Sequence, residues 1–266
     1  MEATNYLEVN RDSWNRRTAV HLDSAFYDLP AFLQGKSSLN DIELDLLPDL
    51  RGKSLLHLQC HFGQDTLSLA RMGAQVTGID LSDQAIAAAR NLSNQLNLPA
   101  NFVCTDVYST PEVLQQHFDL VFTSYGTIGW LPDLDRWARV VSRMLKPGGT
   151  FVFVEFHPVV WMFDDAFTHL RYAYFNEGVL METESGTYAD RQADMQLDYH
   201  YWNHSLEEVL GSLLHHGLQL TNFREYNYSP YNCFQGTEEF EPGKFRIQSL
   251  GNKIPMVFAL TARKPE

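Results

Sequence analysis

Short apolar runs alternate with amphipathic stretches along the chain from residue 54 onward. The middle runs are nearly continuous in Leu, Val and Phe, a pattern typical of strands that helices cover on both faces. This alternation predicts an α/β fold with a doubly wound, mostly parallel sheet. The predicted strands are residues 54–59, 75–79, 101–104, 118–124, 150–156, 218–226 and 254–262.

Capping and breaking residues separate these runs. Ser82 can cap a helix that follows the second strand, and Ser205 with Glu208 has the spacing of a capping box. A helical stripe over residues 137–145 is followed by Lys-Pro-Gly-Gly at 146–149, which predicts a turn into the next strand. The local signals therefore agree with the predicted fold class.

Two segments do not follow this alternation. Residues 157–203 are longer than an ordinary connection and rich in aromatic residues, which predicts an insertion. Its stretch 195–202 has partial period-two character, so a hairpin or lid is plausible. Residues 1–50 predict an N-terminal helical cap, and both segments could cover one crevice. Without a linker signal, residues 1–266 are interpreted as one domain.

The charge limits the class of binding partner, and the cysteines indicate the redox environment. With 33 acidic and 20 basic residues the net charge is −13, which disfavours nucleic acids and anionic membranes. The first residues lack a basic region followed by an apolar stretch, and no run approaches a membrane span in length. Cys60, Cys104 and Cys233 are odd in number and widely spaced, which favours reduced thiols. We expect a cytoplasmic monomer or homodimer.

Polar and small residues follow the first four predicted strands. In an open α/β sheet, ligands bind beyond the carboxyl ends of the strands, so these positions are the natural candidates for a binding site. An acidic residue after the second strand is also where a ribose diol finds its acceptor in dinucleotide sites. The candidate binding residues are His57, Gln59, Cys60, Gly63, Asp80, Leu81, Thr105, Asp106, Val107, Ser124 and Tyr125.

Taken in order, these motifs resemble the class I S-adenosylmethionine-dependent methyltransferase family. The resemblance covers roughly residues 50–160. The chain is also similar to a bacterial subset of this family whose first loop reads His-Leu-Gln-Cys-His-Phe-Gly, as residues 57–63 do here. The family implies a seven-stranded sheet with six parallel strands and one antiparallel strand, here residues 254–262. It also implies S-adenosylmethionine as cofactor and S-adenosylhomocysteine as product.

The same resemblance implies roles for individual residues. Asp80 would accept hydrogen bonds from the ribose hydroxyls, and Asp106 would contact the adenine amino group. The loop at residues 59–63 would pass the methionine and ribose portions, with the Ser124 and Tyr125 backbone beside the methionine end. Asp80 and Asp106 could instead cap helices or turns, but both occur at the expected strand ends.

The first loop departs from the family pattern, which is acidic-x-Gly-x-Gly-x-Gly. This chain has His57, Gln59, His61 and Gly63 at those positions. Glycine permits close ligand approach or a positive φ. Gln59 and His61 are therefore expected either to adopt a suitable conformation or to shift the cofactor.

Methyl transfer requires alignment more than covalent chemistry, so a general base is optional. The candidates are His157, Glu155 and Tyr125 at strand ends, and His157 is preferred because its ordinary pKa is near neutrality. His57, Cys60 and His61 lack a matching downstream ligand pair, so no metal site is predicted.

Three functions remain open at this stage. The leading hypothesis is methyl transfer to a small molecule, with the aromatic insertion and the N-terminal helices shaping the pocket. A protein of the same fold that binds the cofactor without turnover is the first alternative. A nicotinamide-dependent oxidoreductase is less favoured, because Gly-x-Gly-x-x-Gly is absent after the first strand.

Overall fold

The computed structural model describes residues 5–266, so residues 1–4 of the predicted N-terminal cap lie outside the described residues. Two short 3₁₀ helices occupy Ile128–Trp130 and Val160–Met162. The α-helices are α1 (Tyr6–Asp23), α2 (Leu29–Leu33), α3 (Asp41–Leu44), α4 (Gln64–Arg71), α5 (Asp83–Leu96), α6 (Thr110–Val113), α7 (Leu134–Met144) and α8 (Leu206–His215). The strands are β1 (Ser54–Leu58), β2 (Gln75–Asp80), β3 (Asn101–Cys104), β4 (Phe118–Ser124), β5 (Leu145–Phe156), β6 (Leu180–Ser185), β7 (Gln196–Tyr201), β8 (Gln219–Tyr226), β9 (Thr237–Glu241), β10 (Lys244–Ile247) and β11 (Val257–Arg263).

Seven strands form the central sheet in the order β3-β2-β1-β4-β5-β11-β8. The pairs from β3 to β5 are parallel, whereas β11 runs antiparallel to both β5 and β8. This confirms the predicted mostly parallel sheet with one antiparallel strand. Strand order reverses between β1 and β4, which is where such sheets bind ligands.

The start of β5 differs from the prediction. Helix α7 ends at Met144 and the strand begins at once with Leu145, which pairs with Phe118 before the register shifts. The Lys-Pro-Gly-Gly sequence lies inside the strand and produces this irregularity, with Gly148 at φ +73°. The residues predicted to form a separating turn therefore form a distorted strand end, because Leu145 is fully buried and already paired.

The sheet is covered by helices on both faces. On one face, Trp137 of α7 is fully buried, with its ring centroid 5.6 Å from that of Phe151 and 5.4 Å from that of Phe153 on β5. On the other, Leu69 of α4 packs with Leu55 of β1 in a separate apolar cluster. Burial on both faces explains why the central strands read as continuous apolar runs.

Helix α1 and the β6–β7 hairpin pack against each other, and we call this pair the cover. The Asn10 amide donates to the His200 carbonyl at 2.9 Å and accepts from its N–H at 2.8 Å. Arg17 forms an ion pair with Glu184 of β6. The face of α1 that is buried here is polar, with Asn10, Ser13, Arg17, Thr18 and His21 at helical spacing.

Among residues 5–266, no helix has the length and apolar character that crossing a bilayer requires. Cys60, Cys104 and Cys233 are free thiols.

We expect Asn10→Leu to loosen the cover, because it leaves the His200 N–H and carbonyl without partners in a buried setting. The expected cost is about 1–3 kcal/mol of unfolding free energy, with faster amide exchange across β7. Hydrogen exchange measured by mass spectrometry checks this, with the exposed Asp12→Asn in the same helix as the control. Unchanged exchange in β7 would contradict the assignment.

Candidate functional site

The turn after β1 adopts the left-handed conformation at three positions. Gln59 has φ +54°, His61 has φ +49° and Gly63 has φ +82°. The two non-glycine residues thus adopt the conformation that the family's glycines make easy, at a cost of roughly 1–2 kcal/mol each. Strain of this kind concentrates at functional sites.

Asp80, at the end of β2, holds this turn. Its Oδ2 accepts the His61 N–H at 2.8 Å and its Oδ1 accepts the Ser82 N–H at 2.8 Å. Enclosure by the surrounding protein raises the pKa of Asp80 to about 6, against the lowering effect of these backbone donors. Each oxygen therefore has one fixed donor and remaining acceptor capacity.

The end of β3 lies beside Asp80. The Thr105 N–H donates to the Asp80 carbonyl at 2.9 Å, and the Leu81 carbonyl accepts from Cys104 Sγ at 3.5 Å. Asp106 Oδ1 accepts the Ser109 N–H at 3.1 Å, so this carboxylate also caps the turn before α6, while Val107 is buried. The structure brings the predicted residues after β1, β2 and β3 to one edge of the sheet.

Several predicted binding residues turn their side chains inward. His57 is 2% exposed, its Nδ1 lies 2.8 Å from Thr66 Oγ1, and burial lowers its pKa to about 3. The Cys60 side chain is buried against Gly78. A Cβ on Gly63 would lie 2.8 Å from the Phe102 ring. These side chains support the loop from the core, so any contact of Cys60 or Gly63 with a ligand falls to the backbone.

The end of β4 contributes Ser124 and Tyr125. Ser124 Oγ donates to Asp65 Oδ2 at 3.3 Å, and the Tyr125 hydroxyl donates to Glu43 Oε2 at 2.8 Å. Burial raises the pKa of Glu43 to about 7, and it raises the pKa of Tyr125 well above 10. The sequence analysis missed Asp65 and Glu43, although Asp65 lies only two residues beyond Gly63, in the first turn of α4.

Glu155 has an environment that favours a structural role over the predicted catalytic one. It is 2% exposed and accepts the N–H groups of Gly126, Thr127, Ile128 and Phe156, together with the Thr127 hydroxyl. Five donors on one carboxylate satisfy its acceptor capacity. Glu155 therefore fixes the turn after β4 and has little capacity left to receive a substrate proton.

His157 is likewise held by the protein on both ring nitrogens, which favours a structural role over that of a base. Its Nε2 lies 2.9 Å from Glu225 Oε1 on β8, and its Nδ1 accepts the Val159 N–H at 3.2 Å. It is 3% exposed, and burial lowers its pKa although Glu225 opposes the shift. The ring links the end of β5 to β8.

Aromatic side chains of the cover lie over the turn after β1. The ring centroids of Trp14 and His61 are 5.2 Å apart, and those of Trp14 and Trp130 are 5.1 Å apart. His21 Nδ1 lies 2.9 Å from His61 Nε2. Arg17 is 2% exposed, and its Cζ lies 5.4 Å from the centroids of both tryptophans. Helix α1 therefore packs over the turn after β1, and the ring centroid of Tyr199 in β7 lies 5.5 Å from that of Trp130.

Two other features lie outside this crevice. A groove of about 630 Å³ is lined by residues such as Gln75, Asn97 and Asn101 at the amino ends of β2 and β3, the wrong edge for ligand binding in this fold. His215 Nδ1 and His216 Nε2 lie 2.8 and 3.0 Å from Asp135 Oδ1.

Part of the chain is similar in sequence to known proteins. Residues 56–153, from β1 to β5, match the family model described as a methyltransferase domain. The ubiquinone biosynthesis O-methyltransferase of Coxiella burnetii is 35% identical over 155 residues, which are 57% of this chain and 60% of that protein. This chain thus matches about three fifths of the length of that relative.

Two solved structures share the fold. A methyltransferase of Methanosarcina mazei, described as S-adenosylmethionine-dependent, has a TM-score of 0.59 at 20% identity, covering 85% of this chain and 98% of its own. The geranyl diphosphate C-methyltransferase of Streptomyces coelicolor has a TM-score of 0.60 at 16% identity, covering 98% of each chain. Together the comparisons show similarity to a methyltransferase domain over residues 56–153 and a fold shared with proteins described as methyltransferases.

We expect Glu155→Gln to destabilise the fold, because an amide group would face the backbone N–H donors that the carboxylate now satisfies. The expected loss is about 1–3 kcal/mol, measured by thermal and denaturant unfolding. The exposed Glu112→Gln is the matched control and should behave as wild type. Wild-type stability combined with lost turnover would restore the catalytic role predicted for Glu155.

Proposed function

We propose that this chain transfers the methyl group of S-adenosylmethionine to a small-molecule acceptor in the crevice between the β1–β4 strand ends and the cover. The observation that carries the proposal is the Asp80 carboxylate, which both fixes the non-glycine turn after β1 and retains acceptor capacity for a ribose diol. The methyltransferase-domain match spans this same segment.

The polar atoms around the turn suit this cofactor. Gln59 Oε1, His61 Nδ1 and His21 Nε2 are buried and have no hydrogen-bond partner among residues 5–266. A buried polar atom left unpaired costs about 1–3 kcal/mol, and the cofactor carries hydroxyl, amino and carboxylate groups that can pair with them. Donors and acceptors that the protein leaves unsatisfied are therefore concentrated where the cofactor is proposed to bind.

Individual roles follow from the placement of each residue. We assign Asp80 to the ribose hydroxyls, with Leu81 beside it, and the Thr105–Val107 segment to the adenine. The turn at residues 59–63 and the Ser124–Tyr125 backbone would hold the methionine end. His57 supports the turn through Thr66 and is proposed to make no direct contact.

When bound, S-adenosylmethionine supplies an already activated methyl group, so the protein's task is alignment and exclusion of water. Trp14 and Trp130 of the covered crevice form an apolar roof that keeps water away. An acceptor that must lose a proton has a route through Tyr125. The phenol oxygen receives that proton while the phenol proton passes to Glu43 Oε2, whose pKa of about 7 suits a base near neutral pH.

The acceptor is proposed to be a small molecule rather than a nucleic acid. The formal charge of −13 repels phosphate backbones. The cover also lies directly over the turn after β1, with the Trp14 and His61 rings 5.2 Å apart. A polymer would have to displace the cover to reach the strand ends.

Calorimetric titration with S-adenosylhomocysteine, followed by a methyl-transfer assay over a panel of small acceptors, tests the function. We expect saturable binding of one equivalent and turnover with at least one acceptor class. With that acceptor, Tyr125→Phe should lower kcat by about 10²-fold if the proton route operates. Binding without any turnover would favour a cofactor-binding protein, and no binding would overturn the proposal.

We expect the affinity for S-adenosylhomocysteine to rise as the pH is raised from 5 to 7. The pKa of Asp80 is about 6, and only its ionised form offers full acceptor capacity to two hydroxyls. Asp80→Asn should bind roughly tenfold to a hundredfold more weakly and lose this pH dependence. The comparison needs titrations at several pH values, with circular dichroism to verify folding. A wild-type affinity independent of pH would remove Asp80 from the ribose site.

A further inference from the structure

The Asp65 carboxylate is enclosed by the protein but is not paired with a cationic side chain among the described residues. It lies in the first turn of α4, and enclosure by the protein raises its pKa. Its neighbours are hydroxyl groups, with Ser124 Oγ at 3.3 Å and Ser38 also within hydrogen-bonding reach. None of the ion pairs among residues 5–266 includes it.

The titratable groups near Asp65 are themselves acidic, so they do not compensate its negative charge. Glu43 lies close enough for the Asp65 charge to contribute to its raised pKa, although burial is the larger cause. The Asp65 charge also contributes to the raised pKa values of Tyr27, Tyr125 and Tyr231, for which burial is the larger cause. A buried ionised carboxylate is costly unless a cation pairs with it, and the N-terminus of α4 offsets only part of that cost.

A cationic ligand group is the partner that this environment lacks. Gln59 points its amide nitrogen at the Thr127 carbonyl, at 2.8 Å, and leaves its buried Oε1 without a partner. Asp65 and Gln59 thus extend from the two sides of the turn after β1 toward the residues that follow β4. Both present acceptor oxygens, so the complementary group is a donor with several N–H bonds and a positive charge.

The first loop, residues 57–63, contains no acidic side chain. The resembled family carries an acidic residue where this chain has His57, and His57 cannot replace a negative charge. Its ring is buried beside Phe122 and forms a hydrogen bond with Thr66. The ring is neutral because burial lowers its pKa to about 3. The next acidic side chain after His57 is Asp65, eight residues later, and it contacts Ser124 at the end of β4.

We propose that Asp65 binds the α-ammonium group of the cofactor's amino-acid portion, with Gln59 Oε1 as a second acceptor. The inference rests on the proposed function, because it presumes that S-adenosylmethionine occupies the crevice. It places the specificity for the amino-acid portion on a residue in the first turn of α4. Pairing with the ammonium group would also favour the ionised form of Asp65.

Two ligands that differ only in the amino-acid portion test this assignment by calorimetry. S-adenosylhomocysteine carries the ammonium group, whereas 5′-methylthioadenosine has the same nucleoside and thioether without it. Asp65→Asn should weaken binding of S-adenosylhomocysteine roughly tenfold to a hundredfold and leave that of 5′-methylthioadenosine within about twofold. Retained nucleoside binding then shows that the variant is folded.

Two further variants sharpen the result. Asp65→Glu keeps the charge and should recover part of the lost affinity. Asp41→Asn makes the same change in net charge in the first turn of α3, at an exposed position, and should bind both ligands as wild type does.

The possible outcomes separate the two proposals. An equal loss for both ligands, or no loss for either, would overturn the role of Asp65 while leaving the cofactor site intact. A raised KM for an amine acceptor with unchanged S-adenosylhomocysteine affinity would also overturn it, by assigning Asp65 to the acceptor. If wild type binds neither ligand, the proposed function itself fails.

Discussion

The hydrogen bond from the His61 N–H to the Asp80 carboxylate holds together the part of the molecule on which the site depends. Gln59 and His61 have positive φ angles, and this backbone conformation is unfavourable for residues other than glycine. A charge-assisted hydrogen bond of 2.8 Å offsets part of that cost and ties the end of β2 to the turn after β1. The carboxylate proposed to bind the ribose is thus also the one that shapes the loop beneath it.

The cover adds a second constraint, which is the burial of polar groups. Burial lowers the pKa of His21 to about 2 and that of His61 to about 3, so both rings are neutral. A neutral pair can share one proton across 2.9 Å, with one ring donating and the other accepting. The Arg17 guanidinium group lies beside aromatic rings and is paired with Glu184 of the hairpin. Closure over the crevice therefore depends on polar partners from two distant segments, and not on apolar burial alone.

The negative charges of the site are redistributed relative to the resembled family. His57 occupies the position of an acidic residue and contacts Thr66 in the core. Asp65 of α4 and Glu43 of α3 bring carboxylates to Ser124 and Tyr125, respectively. Glu155 is a third carboxylate enclosed by the protein, and five donors occupy its oxygens. Carboxylates of one chemical type thus have different functions here, because each is surrounded by different donors.

The sequence by itself determined the strand rhythm, the parallel sheet with one antiparallel strand, and the strand-end residues that include Asp80 and Asp106. Those features depend on periodicity and on caps, which act over a few residues and can be read locally. The inward orientation of His57, the five donors around Glu155 and the approach of Asp65 to Ser124 were decided only by the tertiary structure. The buried face of α1 is the clearest case, because its polar stripe from Asn10 to His21 looks solvent-exposed until β6 and β7, some 170 to 190 residues away, supply its partners. Contacts between distant segments leave no periodic trace in either segment, so only the folded chain reveals which polar residues belong to the site.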